Sequence, residues 1–300
     1  MSEKKEIICI GSVLWDVIGR TERDMPPGAD RPGRIDRLPG GVAMNIAMAL
    51  ARFGLAPRLL THIGRDDAGD ELIAAAEGMG LDASLVERSD ALPTDQYMAI
   101  EGPEGLVAAV ADAHALEAAG ARILKPLEDG RLGDATRPYE GTIALDGNLT
   151  ERLLAEIAVA PALAAADIRL APASPGKAKR LAPLLRRPRT TLYVNLEEAG
   201  LIAADDGAAF ETAEMAAKAL VEAGSERVLV TDGPRAACAA SGEAAHIALP
   251  PPTSVRRVTG AGDMFMAAHI AADLSGAPPE AALRRALDAA AAHVGSETAP

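Results

Sequence analysis

The feature that most constrains the fold is the alternation of short apolar runs with helix-like segments. The run Ile7 to Ile10 stops at Gly11, which is typical of a buried strand. Further strands are predicted at Leu59 to Ile63, Ile143 to Leu145, Ile168 to Ala171, Leu192 to Val194 and Arg227 to Thr231. Helices are predicted over Asn45 to Phe53, Ala68 to Glu77, from Thr150 onward, Ala261 to Leu274 and Pro279 to His293. This spacing implies parallel strands joined by right-handed helical crossovers, so we expect an α/β core over most of the chain.

Two segments interrupt the alternation. Residues 12–39 are rich in proline and glycine and too broken for one regular element, which suggests a loop or a small excursion from the main sheet. Tyr97 to Ile100 and Leu106 to Val110 flank a Gly-Pro-Glu-Gly turn and predict a hairpin. We expect about 12–39 and 94–113 to project together as a lid on a single domain spanning 1–300. An apolar lid face would favour a homodimer formed through the lid.

Charge and composition narrow the range of partners. The 300 residues include 30 Lys and Arg against 43 Asp and Glu, a net charge of −13. Nucleic acids and anionic membranes bind basic faces, so we expect neither as a partner. Cys9 and Cys238 are the only cysteines, and Cys9 lies in an apolar run, so neither a disulfide framework nor a zinc site is predicted. We recognise no secretory signal and no apolar span of about 18 residues, and the expected location is cytoplasmic.

The segment Val258-Thr259-Gly260-Ala261-Gly262-Asp263 carries the strongest functional signal. Small residues directly before a helix let backbone N–H groups approach an anion closely, and the helix dipole adds partial positive charge. Asp263 falls in the first turn of the predicted helix, where its carboxylate could take a proton from a hydroxyl that attacks phosphorus. The alternative is an ordinary helix N-terminus with a capping aspartate.

A second candidate site is the segment Gly40-Gly41-Val42-Ala43-Met44-Asn45. Its glycines permit close backbone approach, and the Asn45 amide offers both a donor and an acceptor to a polyol. A turn followed by a capped helix would have the same sequence. Asp16, soon after the first strand, could hydrogen-bond sugar hydroxyls or simply be solvated.

Two further motifs directly follow predicted strands. Side chains at the carboxyl ends of strands in an open α/β sheet face the ligand crevice. Asn195 and Glu198, in Asn-Leu-Glu-Glu, could hold Mg²⁺ through water, or they could form an N-cap and its capping-box acid. The segment Thr231-Asp232-Gly233-Pro234-Arg235 could bind nucleotide phosphates or be a plain β-turn.

Taken in order along the chain, these motifs resemble those of the ribokinase-like (phosphofructokinase B-type) carbohydrate kinase family. The resemblance implies an α/β, three-layer, Rossmann-like sandwich with a small β-lid, and MgATP-dependent phosphorylation of a sugar or nucleoside hydroxyl. By the same resemblance the base is Asp263, and the anion hole is formed by the N–H groups of Gly260, Ala261 and Gly262. Substrate contacts are implied for Asp16, Gly40, Gly41 and Asn45. Contacts with ATP and Mg²⁺ are implied for Asn195, Glu198, Thr231, Gly233 and Thr259, with Glu198 near the metal through water.

Within that family the chain is most similar to the pseudouridine kinases. The similarity lies in the stretches 39–47, 107–112, 146–149 and 195–199. It implies Asp112 and Asn148 as substrate contacts and the 5′-hydroxyl of pseudouridine as the phosphoryl acceptor. Two alternatives stay open: a kinase for a free sugar such as ribose or fructose, and a sugar- or nucleoside-binding protein that has lost turnover.

Four positions differ from the family pattern. Leu14 stands where many relatives carry a substrate-binding Asn, Ala171 where they often carry Asp or Asn, and Ala236 where they carry Gly. Arg257 replaces an acidic or amide residue beside which many relatives bind K⁺. A guanidinium is permanently charged, so Arg257 would repel the ion or replace its charge. The alternative is a solvated arginine at a strand edge.

Overall fold

The computed structural model describes residues 4–204, 209–242 and 244–296. The strands in these ranges are β1 (Glu6–Ile10), β2 (Leu14–Arg20), β3 (Arg34–Gly40), β4 (Ala56–Leu60), β5 (His62–Gly64), β6 (Glu87–Ser89), β7 (Gln96–Gly102), β8 (Gly105–Asp112), β9 (Thr142–Asp146), β10 (Asp167–Ala171), β11 (Thr190–Asn195), β12 (Arg227–Thr231), β13 (Ala237–Ser241) and β14 (Ala245–Ala248). The α-helices are α1 (Val42–Arg52), α2 (Asp67–Gly78), α3 (His114–Ala119), α4 (Glu151–Val159), α5 (Leu196–Ala203), α6 (Ala213–Glu222), α7 (Ala261–Leu274) and α8 (Pro279–Gly295). Short 3₁₀ helices cover Gly120–Leu127, Pro161–Leu163 and Pro175–Leu184.

The largest sheet has eight strands in the order β14-β13-β12-β11-β10-β9-β1-β4. The six strands from β12 to β4 run parallel, and β13 and β14 add an antiparallel edge. The predicted α/β architecture with parallel strands is therefore confirmed. Parallel order brings the carboxyl ends of β1, β9, β10, β11 and β12 to one edge of the sheet, where loops can build a ligand site.

Both faces of this sheet are buried, which makes three layers. Alternate residues of β1 enter opposite apolar clusters, Ile8 and Ile10 on one face and Ile7 and Cys9 on the other. Side chains of α3 to α6 belong to the first cluster, and those of α1, α2, α7 and α8 to the second. Burial on both faces explains why the strands have nearly continuous apolar sequences. Cys9 is fully buried, as its apolar run predicted.

A second sheet of four strands has the order β3-β2-β7-β8. The predicted hairpin is confirmed, since β7 and β8 pair antiparallel. The expectation of a loop or small excursion over 12–39 missed two seven-residue strands, β2 and β3. Most of the proline and glycine clusters lie in the connection at 21–33, and this concentration concealed the strands on either side. That this sheet acts as a lid stays a prediction.

Other boundaries differ locally from the predictions. The single strand expected over Leu59 to Ile63 is divided, because β4 joins the large sheet whereas β5 pairs with β6 in a separate two-stranded sheet. Residues 249–260 form no strand, so the alternative that placed Arg257 at a strand edge is wrong. Among the described helices, none combines the length and the apolar character needed to cross a membrane.

Candidate active site

The first turn of α7 is the centre of the candidate site. Gly260 is the N-cap residue and has a φ of 81°, a left-handed conformation that glycine adopts without steric cost. The N–H of Ala261, one of the three predicted anion donors, instead donates to the Val258 carbonyl at 3.1 Å. Amides in the first turn of an α-helix have no intrahelical acceptor, so the N–H groups of Gly262 and Asp263 are suited to an anion.

Asp263 lies against the predicted substrate residue Asn45, whose Nδ2 donates to Asp263 Oδ2 at 2.9 Å. Burial raises the pKa of Asp263 to about 7, and the Asn45 hydrogen bond opposes the rise. The nearby carboxylates of Asp146, Asp16 and Glu198 raise this pKa further. A carboxyl group whose pKa lies near neutrality is well matched to taking a proton from a hydroxyl at physiological pH.

Asp16 and the glycine pair Gly40-Gly41 lie where β2 and β3 meet α1. A Cβ at Gly40 would come within 2.0 Å of Asp16 Oδ2. Gly41 has a φ of 92°, and a Cβ there would come within 2.4 Å of the Ser12 carbonyl oxygen. Burial raises the pKa of Asp16 to about 6. The structure therefore packs these three predicted substrate residues together: Gly41 is required by its backbone, and a Cβ at Gly40 would displace the Asp16 carboxylate.

Asp146 is a central residue that the motif analysis did not single out. Its Oδ2 accepts from the backbone N–H groups of Ser12 and Ala43 at 2.9 and 3.0 Å, and its Oδ1 accepts from that of Asn148 at 2.8 Å. A Cβ at Gly11 would overlap the Asp146 carboxyl group, at 2.3 Å from Cγ. Asp146 thus ties the end of β9 to the end of β1 and to the first turn of α1. The available signal was an aspartate directly after a buried strand.

The two substrate contacts implied by subfamily similarity lie in different surroundings. The Oδ1 of Asn148 accepts a 2.6 Å hydrogen bond from Lys177 Nζ, a residue that the sequence analysis missed. The side chain of Asn148 also hydrogen-bonds the Asp146 carboxylate, so at most one N–H of its NH₂ group is left to donate to a ligand. Asp112 is exposed at the end of the edge strand β8, and its Oδ1 lies 3.9 Å from His114 Nε2. The substrate role of Asp112 stays a prediction.

Asn195 and Glu198 form the capping box that the sequence analysis offered as an alternative. Asn195 Oδ1 accepts from the Glu198 N–H at 2.8 Å, and Glu198 Oε2 accepts from the Asn195 N–H at 2.9 Å. Burial raises the pKa of Glu198, and the Asn195 hydrogen bond opposes the rise. Because only Oε2 takes part in the box, the second oxygen of Glu198 can still face a ligand.

Mg²⁺ commonly keeps several waters and uses one or two carboxylates together with substrate phosphates. Within residues 4–204, 209–242 and 244–296, no group of three or more His, Cys, Asp or Glu side chains is arranged to hold a metal by itself. A single buried carboxylate at the end of β11 fits an ion of this kind, held through water and phosphate.

A cavity of about 850 Å³ extends beside the first turn of α7. Its walls include Thr231 and Gly233 from the end of β12 and Ala261 and Gly262 from α7, so it joins the predicted nucleotide residues to the predicted anion loop. Most other lining residues are apolar, among them Pro250 to Pro252. A largely apolar cavity that borders a helix N-terminus suits a ligand with an aromatic base and an anionic group.

The segment that starts at Thr231 also forms a turn, which was the alternative prediction for it. Arg235 N–H donates to the Asp232 carbonyl at 3.0 Å, the two side chains form an ion pair of 2.7 Å, and Gly233 has a φ of 55°. The turn does not exclude nucleotide binding, because Thr231 and Gly233 line the cavity.

Comparison with known proteins defines the class. A model described as pfkB family carbohydrate kinase matches residues 4–299. Kinases of this kind are phosphotransferases that act on hydroxyl groups. The chain belongs to the pfkB family of carbohydrate kinases and is a sugar or nucleoside kinase of that family, which confirms the resemblance found in the sequence.

Two relatives from Escherichia coli (strain K12) differ in how much of this chain their matches cover. The pseudouridine kinase is 28% identical over 289 residues, which are 93% of this chain and 87% of that protein. The uncharacterized sugar kinase YeiI is 30% identical over 155 residues. That match covers 51% of this chain and 41% of YeiI, so the chain matches less than half of that protein's length.

Solved structures share the fold along nearly the whole chain. A carbohydrate kinase from Agrobacterium tumefaciens has a TM-score of 0.81 and 28% identity, covering 98% of this chain and 92% of that one. A ribokinase from Arabidopsis thaliana, complexed with ribose and ATP, has a TM-score of 0.76 and 20% identity, covering 99% and 94%. The ribokinase-like fold class predicted from the sequence is confirmed.

Proposed function

We propose that this protein transfers the γ-phosphoryl group of MgATP to the 5′-hydroxyl of pseudouridine. One observation carries the proposal: the carboxyl group of Asp263, a half-buried residue, contacts Asn45 at 2.9 Å and lies in the same helix turn that borders the 850 Å³ cavity. The base, a candidate acceptor contact and a cavity for the donor thus converge at the start of α7.

In the proposed mechanism Asp263 accepts the proton of the acceptor hydroxyl as its oxygen attacks the γ-phosphorus. Asn45 orients the Asp263 carboxylate and, with Asp16, Gly40 and Gly41, positions the hydroxyl groups of the acceptor. The free N–H groups of the α7 first turn and the helix dipole stabilise the negative charge on the transferring group. The attack of the acceptor oxygen on the γ-phosphorus and the removal of its proton by Asp263 then both occur at the N-terminus of α7.

The donor occupies the cavity in this proposal. Thr231, Gly233 and Thr259 contact the nucleotide, whose base lies against the apolar walls. Asn195 and Glu198 would hold Mg²⁺ through water, and the ion, when bound, neutralises charge on the phosphates. The donor's phosphates then point toward Gly262, whose missing side chain leaves room for them.

In this proposal residues 1–300 form one kinase domain, and its four-stranded sheet, from about 12–39 and 94–113, closes over the acceptor. Asp112 would reach the acceptor from this lid, and Asn148 from the crevice. Apolar side chains are exposed on the lid strands, namely Ile35, Met98, Leu106, Val107 and Val110. Exposed apolar side chains on these strands support a homodimer formed through the lid. We place the enzyme in the cytoplasm with its proposed donor.

Pseudouridine is proposed as the acceptor because the match to the pseudouridine kinase of Escherichia coli covers 93% of this chain. The test is ATP consumption by the purified protein with pseudouridine, uridine, ribose and fructose, with the Asp263→Asn variant as the blank. We expect the highest kcat/KM with pseudouridine, since the wrong substrate leaves polar groups of the site unpaired. A higher value on a free pentose or hexose would make it a free-sugar kinase. Ligand binding without turnover would make it a non-catalytic binding protein.

A further inference from the structure

The backbone carbonyl of Thr259, directly before the glycine loop, is contacted by two side chains that lie outside that loop. His293 Nε2, near the end of α8, hydrogen-bonds this oxygen at 2.9 Å, and Arg257 Nη2 lies 3.4 Å from it. A carbonyl oxygen can only accept, so the imidazole must carry its proton on Nε2. Burial lowers the pKa of His293, which favours this neutral, donating ring at neutral pH.

Because of peptide geometry, the contact between His293 and the Thr259 carbonyl also fixes the direction of the Gly260 N–H. In a planar trans peptide the C=O and N–H bonds point in opposite directions. The Thr259 C=O and the Gly260 N–H belong to the same unit, so holding the carbonyl toward His293 directs the N–H away from it. We propose that His293 is a positioning residue that aims the Gly260 N–H at the transferring phosphoryl group; this inference rests on the proposed kinase function.

The end of α8 is built as a support for this loop. The backbone N–H groups of Arg256 and Arg257 both donate to the Val294 carbonyl, at 3.0 and 3.2 Å. A Cβ at Gly260 would lie 3.1 Å from His293 Nε2, so glycine lets the loop approach the ring closely. Val294 accepts two hydrogen bonds that hold the segment before the loop against α8, and His293 donates the third, which fixes the Thr259–Gly260 peptide itself.

The test compares two substitutions of one residue. His293→Leu removes the donor while filling the space, and His293→Gln keeps an N–H donor. Loss of an oxyanion-hole donor lowers kcat about 100- to 1000-fold, and a misdirected one should cost less, so we expect His293→Leu to lower kcat about 10- to 100-fold. The acceptor KM should change less than about threefold, because none of the proposed acceptor contacts lies on α8 or on the Thr259–Gly260 peptide. His293→Gln should restore most of the lost kcat.

Ala292→Leu, on the exposed side of the same helix turn, is the matched control and should leave kcat and the unfolding temperature unchanged. Wild-type kcat in His293→Leu would overturn the inference. An equal loss in the Leu and Gln variants, with a lowered unfolding temperature, would show a merely structural role and also overturn it. Failure of the proposed kinase function would be recognised separately, because the wild-type protein would then consume no ATP with any acceptor. That result would also overturn the inference about His293.

Discussion

Replacing Asp263 by asparagine should lower activity and raise stability at the same time. The side chain keeps its size, and the asparagine carbonyl can still accept the hydrogen bond from Asn45. Without the carboxylate the acceptor hydroxyl loses its base, so we expect kcat to fall at least about 100-fold. A residue that only capped the helix would not produce this pair of effects.

The stability change follows from the electrostatics of the site. Burial is the main cause of the rise in the pKa of Asp263 from 3.8 to about 7. At about 1.4 kcal/mol per pH unit, the ionised carboxylate costs the folded state up to about 4 kcal/mol. Because folding raises this pKa, the folded state holds the proton more tightly, and the free energy of unfolding falls as pH rises from about 4 to about 7. The Asp263→Asn variant lacks this dependence.

Urea unfolding followed by the fluorescence of Trp15, the single tryptophan, measures the difference. The variant and the wild type should be equally stable below about pH 4, and the variant should be more stable by up to about 4 kcal/mol above about pH 7. In the same range the kcat of the wild type should rise with pH through about 7, as the base loses its proton. Near-normal kcat in the variant would refute the assignment of the base, and a variant less stable at high pH would refute the electrostatic argument.

Three further predictions concern the glycine loop at the start of α7, the charge of Arg257 beside it, and a buried ion-pair cluster in the core. A Cβ at Gly262 meets no atom within 4 Å, so the Gly262→Val variant should fold normally. Its side chain should project into the cavity and raise the KM for ATP at least about tenfold, while the KM for the acceptor stays unchanged. Exchanging K⁺ for Na⁺ at constant ionic strength should alter wild-type activity less than about twofold, whereas Arg257→Asp should become K⁺-stimulated; strong stimulation of the wild type would contradict this. Arg169 is buried and ion-paired with Asp167 and Asp273, so Arg169→Met should lower the free energy of unfolding by about 3 kcal/mol in urea, and an unchanged midpoint would exclude a stabilising role for this cluster.

Local patterns determined much of the scaffold and part of the site. The bounds of α7 agree with the predicted Ala261 to Leu274, because a glycine before a long apolar helix marks its start without help from the rest of the chain. The capping box of Asn195 and Glu198 is likewise a contact over three residues. The six parallel strands of the large sheet were found because burial on both faces leaves short, nearly continuous apolar runs, whereas its antiparallel edge strands β13 and β14 were not predicted. The more polar β2 and β3 leave no such runs and were missed.

Only the tertiary structure decided which of these groups meet. Asn45 and Asp263 are 218 positions apart, and Asp146 joins the ends of β1 and β9 across more than 100 positions. His293 reaches Thr259 only because α8 packs beside α7. The pKa of Asp263 also has no local cause, since it follows from burial and from carboxylates on other elements. Such contacts depend on strand order and helix packing, which are properties of the whole core, so no short stretch of the sequence encodes them.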